Sequence, residues 1–379
     1  MGWLWMFLQT FAPAAVAHSY NTTGPEHQLV LRKSLSVLFW NDSLIYSSII
    51  FLSARTISLP FLLNSTRLRL ASSVLRRGIR LWIPTAMALI ICYAIFSKTL
   101  GTEYMNAFSA QTQNESMTKD LYMLPNSLAN FNSIFDIFWT LWVVSVIFQQ
   151  SYTVFMAVAI IPYTRNSWRL KGALVFILAA WWVYSWAWFS VTGLLFADLV
   201  VNYNFKAIAQ MHRLETYAAG ATCLIAGFTM QFLWVAAWPE LYTAEIKYHT
   251  GVYQTGGLWL WNDATAPLLR ADDYLVIVGF NLLLESTDVL QRIFRSRALV
   301  FIGKRSFSYF LLQSIIAYAL GIKLVMNIIG GSMDTYAKAS AVAFIVCLLV
   351  TIGAGEVFYW VIDWPTQRFA CVVFDWIRE

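Results

Sequence analysis

The chain is organised as long apolar runs separated by short charged turns. Residues 172–196 and 217–238 contain no charged side chain, and each exceeds the roughly 20 helical residues needed to cross a bilayer core. Residues 81–97 are uncharged, and 134–161 are apolar apart from Asp136. Residues 306–326 hold only Lys323, near one end, and 339–362 hold only Glu356, with Asp363 closing the run. Residues 35–54 are apolar around the pair Asn41–Asp42. The pattern therefore predicts seven membrane-spanning helices. Two further stretches are weaker. The first 17 residues are uncharged and end Ala-Ala-Val-Ala before His18, which fits either a short first span or a cleaved secretory signal without the usual basic start. Residues 274–291 are interrupted by Glu285 and Asp288.

Composition turns these runs into a class. The 379 residues are 59% hydrophobic and only 12% charged, against about 25% charged in a soluble domain. Aromatics make up 17%, with 18 Trp, as expected of helices whose amphipathic rings sit at the bilayer interface. The same figures exclude disorder and a disulfide-stapled secreted module. The expected fold is all-α, a polytopic bundle in which residues 1–379 form a single membrane-embedded domain.

Charge placement orients it. Arg67, Arg69, Arg76, Arg77 and Arg80 form one acid-free cluster; Arg165, Arg169 and Lys171 a second; Arg292, Arg295, Arg297, Lys304 and Arg305 a third. Together they hold half of the chain's 26 basic residues. The positive-inside rule puts all three on the cytosolic face. Keeping the second and third clusters together demands an even number of crossings between them, so either 274–291 does not cross or 252–267 dips in as well. The expectation is eight or ten spans with both termini cytosolic, in an endomembrane or the plasma membrane. The hydrophilic loop 98–133 then lies outside, where the Asn114-Glu-Ser116 sequon is open to glycosylation. The sequon at Asn64 lies in the cytosolic loop and should be silent, and those at Asn21 and Asn41 lie close to the membrane. No basic groove with stacking aromatics lies outside the apolar runs, so nucleic acid is not an expected partner. The lipid bilayer is.

Cys92, Cys223, Cys347 and Cys371 lie in or beside apolar runs without CxxC spacing and read as small buried hydrophobes. No metal motif, phosphate-binding glycine loop or GxSxG elbow is present. Chemistry must come from polar groups set against the membrane, which are costly there and call for partners. The strongest group is Phe51-Leu-Ser-Ala-Arg55 followed by Arg76-Arg77-Gly-Ile-Arg80-Leu-Trp-Ile-Pro84. Arg76 and Arg80 are four apart and Arg77 and Arg80 three apart, so one helical face can make a double cationic contact. Guanidinium forks match phosphate oxygens bidentately, and a cytosolic phosphorylated donor such as coenzyme A suits them. The plainer reading is a topology signal that snorkels to lipid phosphates.

The stretch Arg76-Arg77-x-x-Arg80-Leu-x-x-Pro84, after Phe51-Leu-Ser-Ala-Arg55, resembles the start of the acyltransferase family 3 membrane enzymes, and most nearly their fungal branch. Further resemblances follow in order: Trp142 to Ser151, Gly193 to Asp198, Phe301 to Tyr309, and Asp363-Trp-Pro365. Together they cover about residues 35–379. Three positions depart from the family pattern, with Ile147 in place of a glutamate, Gln150 in place of a glycine and Gln313 in place of a late histidine. The family's first span carries an Arg ahead of a His regarded as catalytic; here no Arg precedes His18, which implies a first helix shortened in this sequence or an impaired member.

The resemblance implies an O-acyltransferase that moves an acyl group from acyl-CoA, a co-substrate and not a bound cofactor, to a hydroxyl of a small lipophilic acceptor such as a secondary metabolite. Such a transfer needs a base near neutral pH, and the chain has four histidines, His18, His27, His212 and His249. On this reading His18 is the catalytic base, Arg55 assists it, and Arg76, Arg77 and Arg80 bind the donor. His212, beside Arg213 and Glu215, reads instead as part of a charged patch on the lumenal side, and Ser306 and Ser308 as satisfying backbone groups or packing between helices. Two other readings stay open. One is a transporter or permease using Asp42, Asp136 or Glu356 as an intramembrane ion site. The other is a non-catalytic relative that holds a protein or lipid partner.

Overall fold

The structure is a computed structural model, and it describes residues 2–16, 26–64, 66–98, 142–239, 269–329 and 336–378. Among the described residues every regular element is helical. In chain order they are α1 (Gly2–Phe11), α2 (Glu26–Phe39), α3 (Asp42–Leu63), α4 (Arg67–Lys98), α5 (Trp142–Ile160), α6 (Asn166–Trp182), α7 (Ala187–Asn202) and α8 (Phe205–Met211). There follow α9 (Arg213–Phe232), α10 (Ala271–Ser286), α11 (Asp288–Phe294), α12 (Arg297–Ile316), α13 (Ile322–Ile329), α14 (Tyr336–Phe358) and α15 (Trp364–Arg378). Six helical stretches are long and apolar enough to cross a membrane, namely Glu26–Leu63, Arg67–Ile95, Val143–Tyr163, Arg213–Ala237, Arg297–Ile328 and Tyr336–Arg378. The protein is a multi-pass membrane helix bundle.

Two compact units interleave along the chain. The first is built from Ala14–Val74 and Val146–Arg297, the second from Gly2–Pro13, Leu75–Ser145 and Ala298–Glu379.

In the first unit the expected span 35–54 is divided. Asn41 stops α2 and caps α3, its side chain accepting from the Leu44 N–H, which satisfies one of the orphan donors of a helix start. The crossing helix therefore begins at Asp42. Asn41 is 3% exposed, so its sequon is buried in the fold.

The expected single span 172–196 is corrected more sharply. It folds into a hairpin, α6 and α7, through a turn at Val183–Trp186 where Tyr184 takes a left-handed φ of 54°. The turn is closed by the Tyr184 N–H donating to Trp181 O at 3.1 Å and the Ser185 N–H to Ala180 O at 2.9 Å. The open end is tied by Arg169, near the start of α6, bonded to Asp198, near the end of α7. The sixteen residues of α7 rise about 24 Å. All positions from Ala187 to Asp198 are buried, as an apolar helix surrounded by others must be. α7 lies directly on α3, and Gly193 is what permits this: a Cβ there would stand 2.4 Å from Phe51 O.

α9 and α10 pack along each other on small residues. A Cβ on Gly279 would stand 2.7 Å from Gly220 O, and one on Gly227 2.8 Å from Asp272 O. Close backbone approach on small residues is a common means of pairing helices in lipid. The hydrophobic centre joins Ile50 and Phe51 of α3, Ile177 of α6, Trp188, Phe189 and Phe196 of α7 and Ile277 of α10, and Trp188 stacks on Tyr274 at 5.2 Å.

Among the described residues α6, α7, α9 and α10 lie between the second and third basic clusters. In the first unit these clusters lie at one end. Arg169 meets Asp198, the chain continues into α8, and Lys206 of α8 meets Asp288 at the start of α11. His212 follows α8 at the same end. The stretch 252–267, Asn21, Asn114, His18, Asp136 and His249 lie outside the described residues.

In the second unit α1 packs on α14. The rings of Phe7 and Phe344 meet edge-on at 5.1 Å, and the Tyr336 hydroxyl donates to Phe11 O at 2.6 Å. α12 runs into α13 through a π-helical turn at Ala317–Gly321, and α14 into α15 through another at Tyr359–Asp363. α4 begins in the first unit and enters the second, where Leu81, Thr85, Ala88, Leu89 and Cys92 form its buried stripe. All four cysteines are free, with Cys92 and Cys347 buried.

Candidate functional site

Two constellations hold the described residues among those expected from the sequence to form the site; His18 and Asn114 lie outside the described residues. The first lies in the first unit, where α3 and α10 face each other. Arg55 is mid-way along α3, and its guanidinium is bonded to the Glu285 carboxylate and, at 3.4 Å, to Asn281 Oδ1. Asn281 and Glu285 are one turn apart on α10, so a single face of that helix receives the arginine. The side chains of Arg55 and Glu285 are 16% and 11% exposed. Glu285 stands in the apolar run as an unexplained charge, and the cost of such a charge predicts a cationic partner. The partner is the intramembrane arginine assigned to catalysis. Arg55 is thus held towards α10 by two acceptors, and its first task is to join two helices.

Other buried polar groups are met in the same way. Ser190 donates to Gln150 Oε1 at 3.0 Å, Thr192 pairs with the Tyr274 hydroxyl at 3.0 Å, and Arg270 grips Asp272 through Nε at 3.0 Å and Nη2 at 2.9 Å. The positions that departed from the family pattern have structural surroundings. Ile147 packs against the hydrophobic centre, Gln150 holds Ser190, and Gln313 is buried.

The second constellation is the basic part of α4, in the second unit. Arg76 and Arg80 are exposed and one turn apart. Arg77 is half-buried and stands four residues before Leu81, in line with the buried stripe. The three arginines therefore divide: Arg76 and Arg80 share an outward face, and Arg77 points along the packed one. The same unit ties α12 to α14. Arg305 pairs with Glu356 at 2.8 Å and stacks over the Phe301 and Tyr359 rings, while the Tyr309 hydroxyl donates to Glu356. Ser308 donates to the buried Asp363 at 3.4 Å, and Ser306 donates to Gly303 O. Glu356, an ion-site candidate on the transporter reading, is therefore satisfied by protein groups.

Of the histidines, His27 is exposed on α2. His212 is exposed and 3.2 Å from Glu215. Outside the spans, Lys206 holds the Asp288 carboxyl below the usual carboxylate range, chiefly by hydrogen bonding and then by its charge. Among the described residues no group of three or more His, Cys, Asp or Glu side chains is placed to hold a metal ion. No family model matches the sequence, and neither a curated protein nor a solved structure is similar to it.

Proposed function

We propose that the protein is a membrane-bound O-acyltransferase that transfers an acyl group from acyl-CoA to a hydroxyl of a small lipophilic acceptor. The observation that carries this reading is the paired, outward-facing Arg76 and Arg80 on α4, beside the ordered motif resemblance. Two guanidinium forks one turn apart suit the several phosphate groups of coenzyme A. In the reaction a base takes the acceptor's hydroxyl proton, the oxygen attacks the thioester carbonyl, and the C–S bond breaks. The thiolate leaves and takes up a proton. His18 is the base on this reading. By the positive-inside rule the end of the first unit that carries Arg165, Arg169 and Arg292 faces the cytosol, which is also where acyl-CoA is found.

Arg80→Lys separates donor binding from topology. The substitution keeps the positive charge that sets orientation and removes the bidentate fork. Loss of one charge-assisted contact of about 1.5–3 kcal/mol weakens donor binding roughly 10- to 150-fold with normal expression and insertion. Isothermal titration of the purified protein in lipid nanodiscs with coenzyme A measures it. If Arg80→Lys and Arg80→Gln both leave that affinity intact, the cluster is a topology signal and the donor assignment is wrong.

A further inference from the structure

At the end of α10 remote from Glu285, two buried oxygens have no hydrogen-bond partner. Asp273 is 0% exposed and Gln231, near the end of α9, is 2% exposed. Gln231 Nε2 donates to Asp273 Oδ1 at 2.7 Å. That single bond leaves Asp273 Oδ2 and Gln231 Oε1 both buried and unpartnered. A buried carboxyl whose Oδ2 meets no donor, beside a second acceptor with no donor, is a costly arrangement.

The groups around it act in both directions, with burial, Asp272 and Asp42 opposing an ionised Asp273 and Arg270 and Ser43 favouring it. On its own helix Asp273 follows Asp272, whose carboxylate is taken up by Arg270 and by the Asp273 N–H. From α3 it is faced by Ser43 and Asp42, and the Ser43 hydroxyl also lies 3.0 Å from Asn41 Oδ1 as a donor. From α9 it meets the neutral Gln231. Arg270 also acts on Asp273 by charge, while its guanidinium bonds to the neighbouring Asp272. An ionised Asp273 is therefore a buried negative charge beside a matched Arg–Asp pair and a further acid.

One proton removes both defects. We propose that Asp273 holds a proton on Oδ2 and donates it to Gln231 Oε1, so that a carboxylic acid and a primary amide close a ring of two hydrogen bonds. The amide N–H donates to the acid's carbonyl oxygen, and the acid's O–H donates to the amide oxygen. The two atoms this pairing requires are the two that stand without partners. Asp273 is then an internal proton-binding site that fastens α9 to α10. Its ionisation deletes the O–H···O bond and leaves a buried negative charge at the junction with α3. The site is independent of the acyl-transfer reading.

Asp273→Asn is the discriminating substitution, because its amide offers the same acceptor and donor to Gln231 and cannot ionise. Full-length wild type and Asp273→Asn in nanodiscs are compared by infrared difference spectroscopy and by thermal melting across pH, in sodium and in choline buffers. The expected wild-type spectrum at neutral pH contains a protonated-carboxyl C=O band that is absent from the variant and bleaches on alkaline titration. The folded protein holds a proton that the unfolded chain releases, so the wild-type melting temperature falls as pH rises, and that of Asp273→Asn falls less. Three results overturn the proposal. One is a wild-type spectrum in which no acid band disappears on substitution. Another is a melting temperature raised by sodium in the wild type alone, which makes the ligand a metal cation. The last is an Asp273→Asn protein that fails to insert or fold, since the amide pair replaces both bonds.

Discussion

Breaking the pair between Arg55 and Glu285 is the most direct perturbation of the first unit. Both side chains are largely buried, so removing one partner strands the other charge. Loss of one member of a buried pair costs about 3–5 kcal/mol. Two features place Glu285→Ala near the lower end. Arg55 keeps a contact with Asn281 Oδ1, and its side chain retains 16% exposure. The expected loss for Glu285→Ala is about 3 kcal/mol, and Arg55→Ala, which strands an anion with fewer alternatives, loses at least as much. Replacing both by Met removes two desolvation penalties along with the attraction, and the outcome is near neutral, within about 1 kcal/mol of wild type. With Met as the single substitution at each position, again costing about 3 kcal/mol, the double-mutant cycle gives a coupling of about 5 kcal/mol or more. Denaturant unfolding in mixed micelles, followed by tryptophan fluorescence, measures each corner. Single substitutions that each cost under about 1 kcal/mol, with additive effects in the double, would falsify the ion pair as a link between α3 and α10. On the proposed acyltransferase reading, Glu285→Gln retains a hydrogen-bond acceptor for Arg55, so any change in transfer beyond its stability effect reports on the arginine's charge balance.

The α6–α7 hairpin predicts that cysteines at Ser167 and Gln210 react with an impermeant maleimide from one side of sealed vesicles and one at Val183 from the other; a straight span through 172–196 puts Ser167 and Gln210 on opposite sides. Gly193→Ala sets a methyl 2.4 Å from the backbone oxygen of Phe51 and should cost about 2–3 kcal/mol as overpacking. Gly172→Ala, which meets nothing within 4 Å, should be neutral or stabilising by up to about 1 kcal/mol; equal effects in the same unfolding assay refute the close approach. Because Lys206 holds Asp288 low, their mutual stabilisation is present above the ordinary Asp range of about 3.9 and is lost as pH falls through the lowered value. Acid melting curves of the wild type should converge with those of Lys206→Ala in that window, and curves that stay parallel refute the pair.

The membrane class was legible in the runs of apolar residues, and so were the positions of α4, α5, α9, α12 and α14. Helix ends were less so. Residues 172–196 contain no charge, glycine near the turn or proline to mark a break, and the reversal depends on Tyr184 accepting a left-handed conformation. Its tie is Arg169 to Asp198, twenty-nine residues apart, which no local pattern reveals. At the candidate site the same limit holds. Arg55 and Glu285 each stood out as charges in apolar surroundings, yet their pairing spans 230 positions and only the packing of α3 on α10 brings them together. Asp273 and Gln231 carried no motif, and what marks them is the pair of orphaned oxygens.

High mean hydropathy does not mark importance to the bundle. The longest apolar stretch, Tyr336–Arg378, leaves Ile345, Leu349, Val357, Trp360 and Val361 outward, and a lipid-facing helix has to be apolar on that side. α7 and α10 have only sixteen residues each, and α10 carries Asp272, Asp273, Asn281 and Glu285. Yet in the first unit α7 is buried over three turns, and only Phe280 of α10 reaches 36% exposure. A helix shielded by its neighbours does not need an apolar surface. It can carry costly groups provided that α3, α7 and α9 supply their partners, as Arg55 does for Glu285, Thr192 for Tyr274 and Gln231 for Asp273. Those partners also fix the register of α10, because a slide of one residue would break all three contacts together, whereas leucine contacts would re-form. The interruption that made 274–291 the weakest candidate span is therefore the feature that places α10 at the centre of its unit.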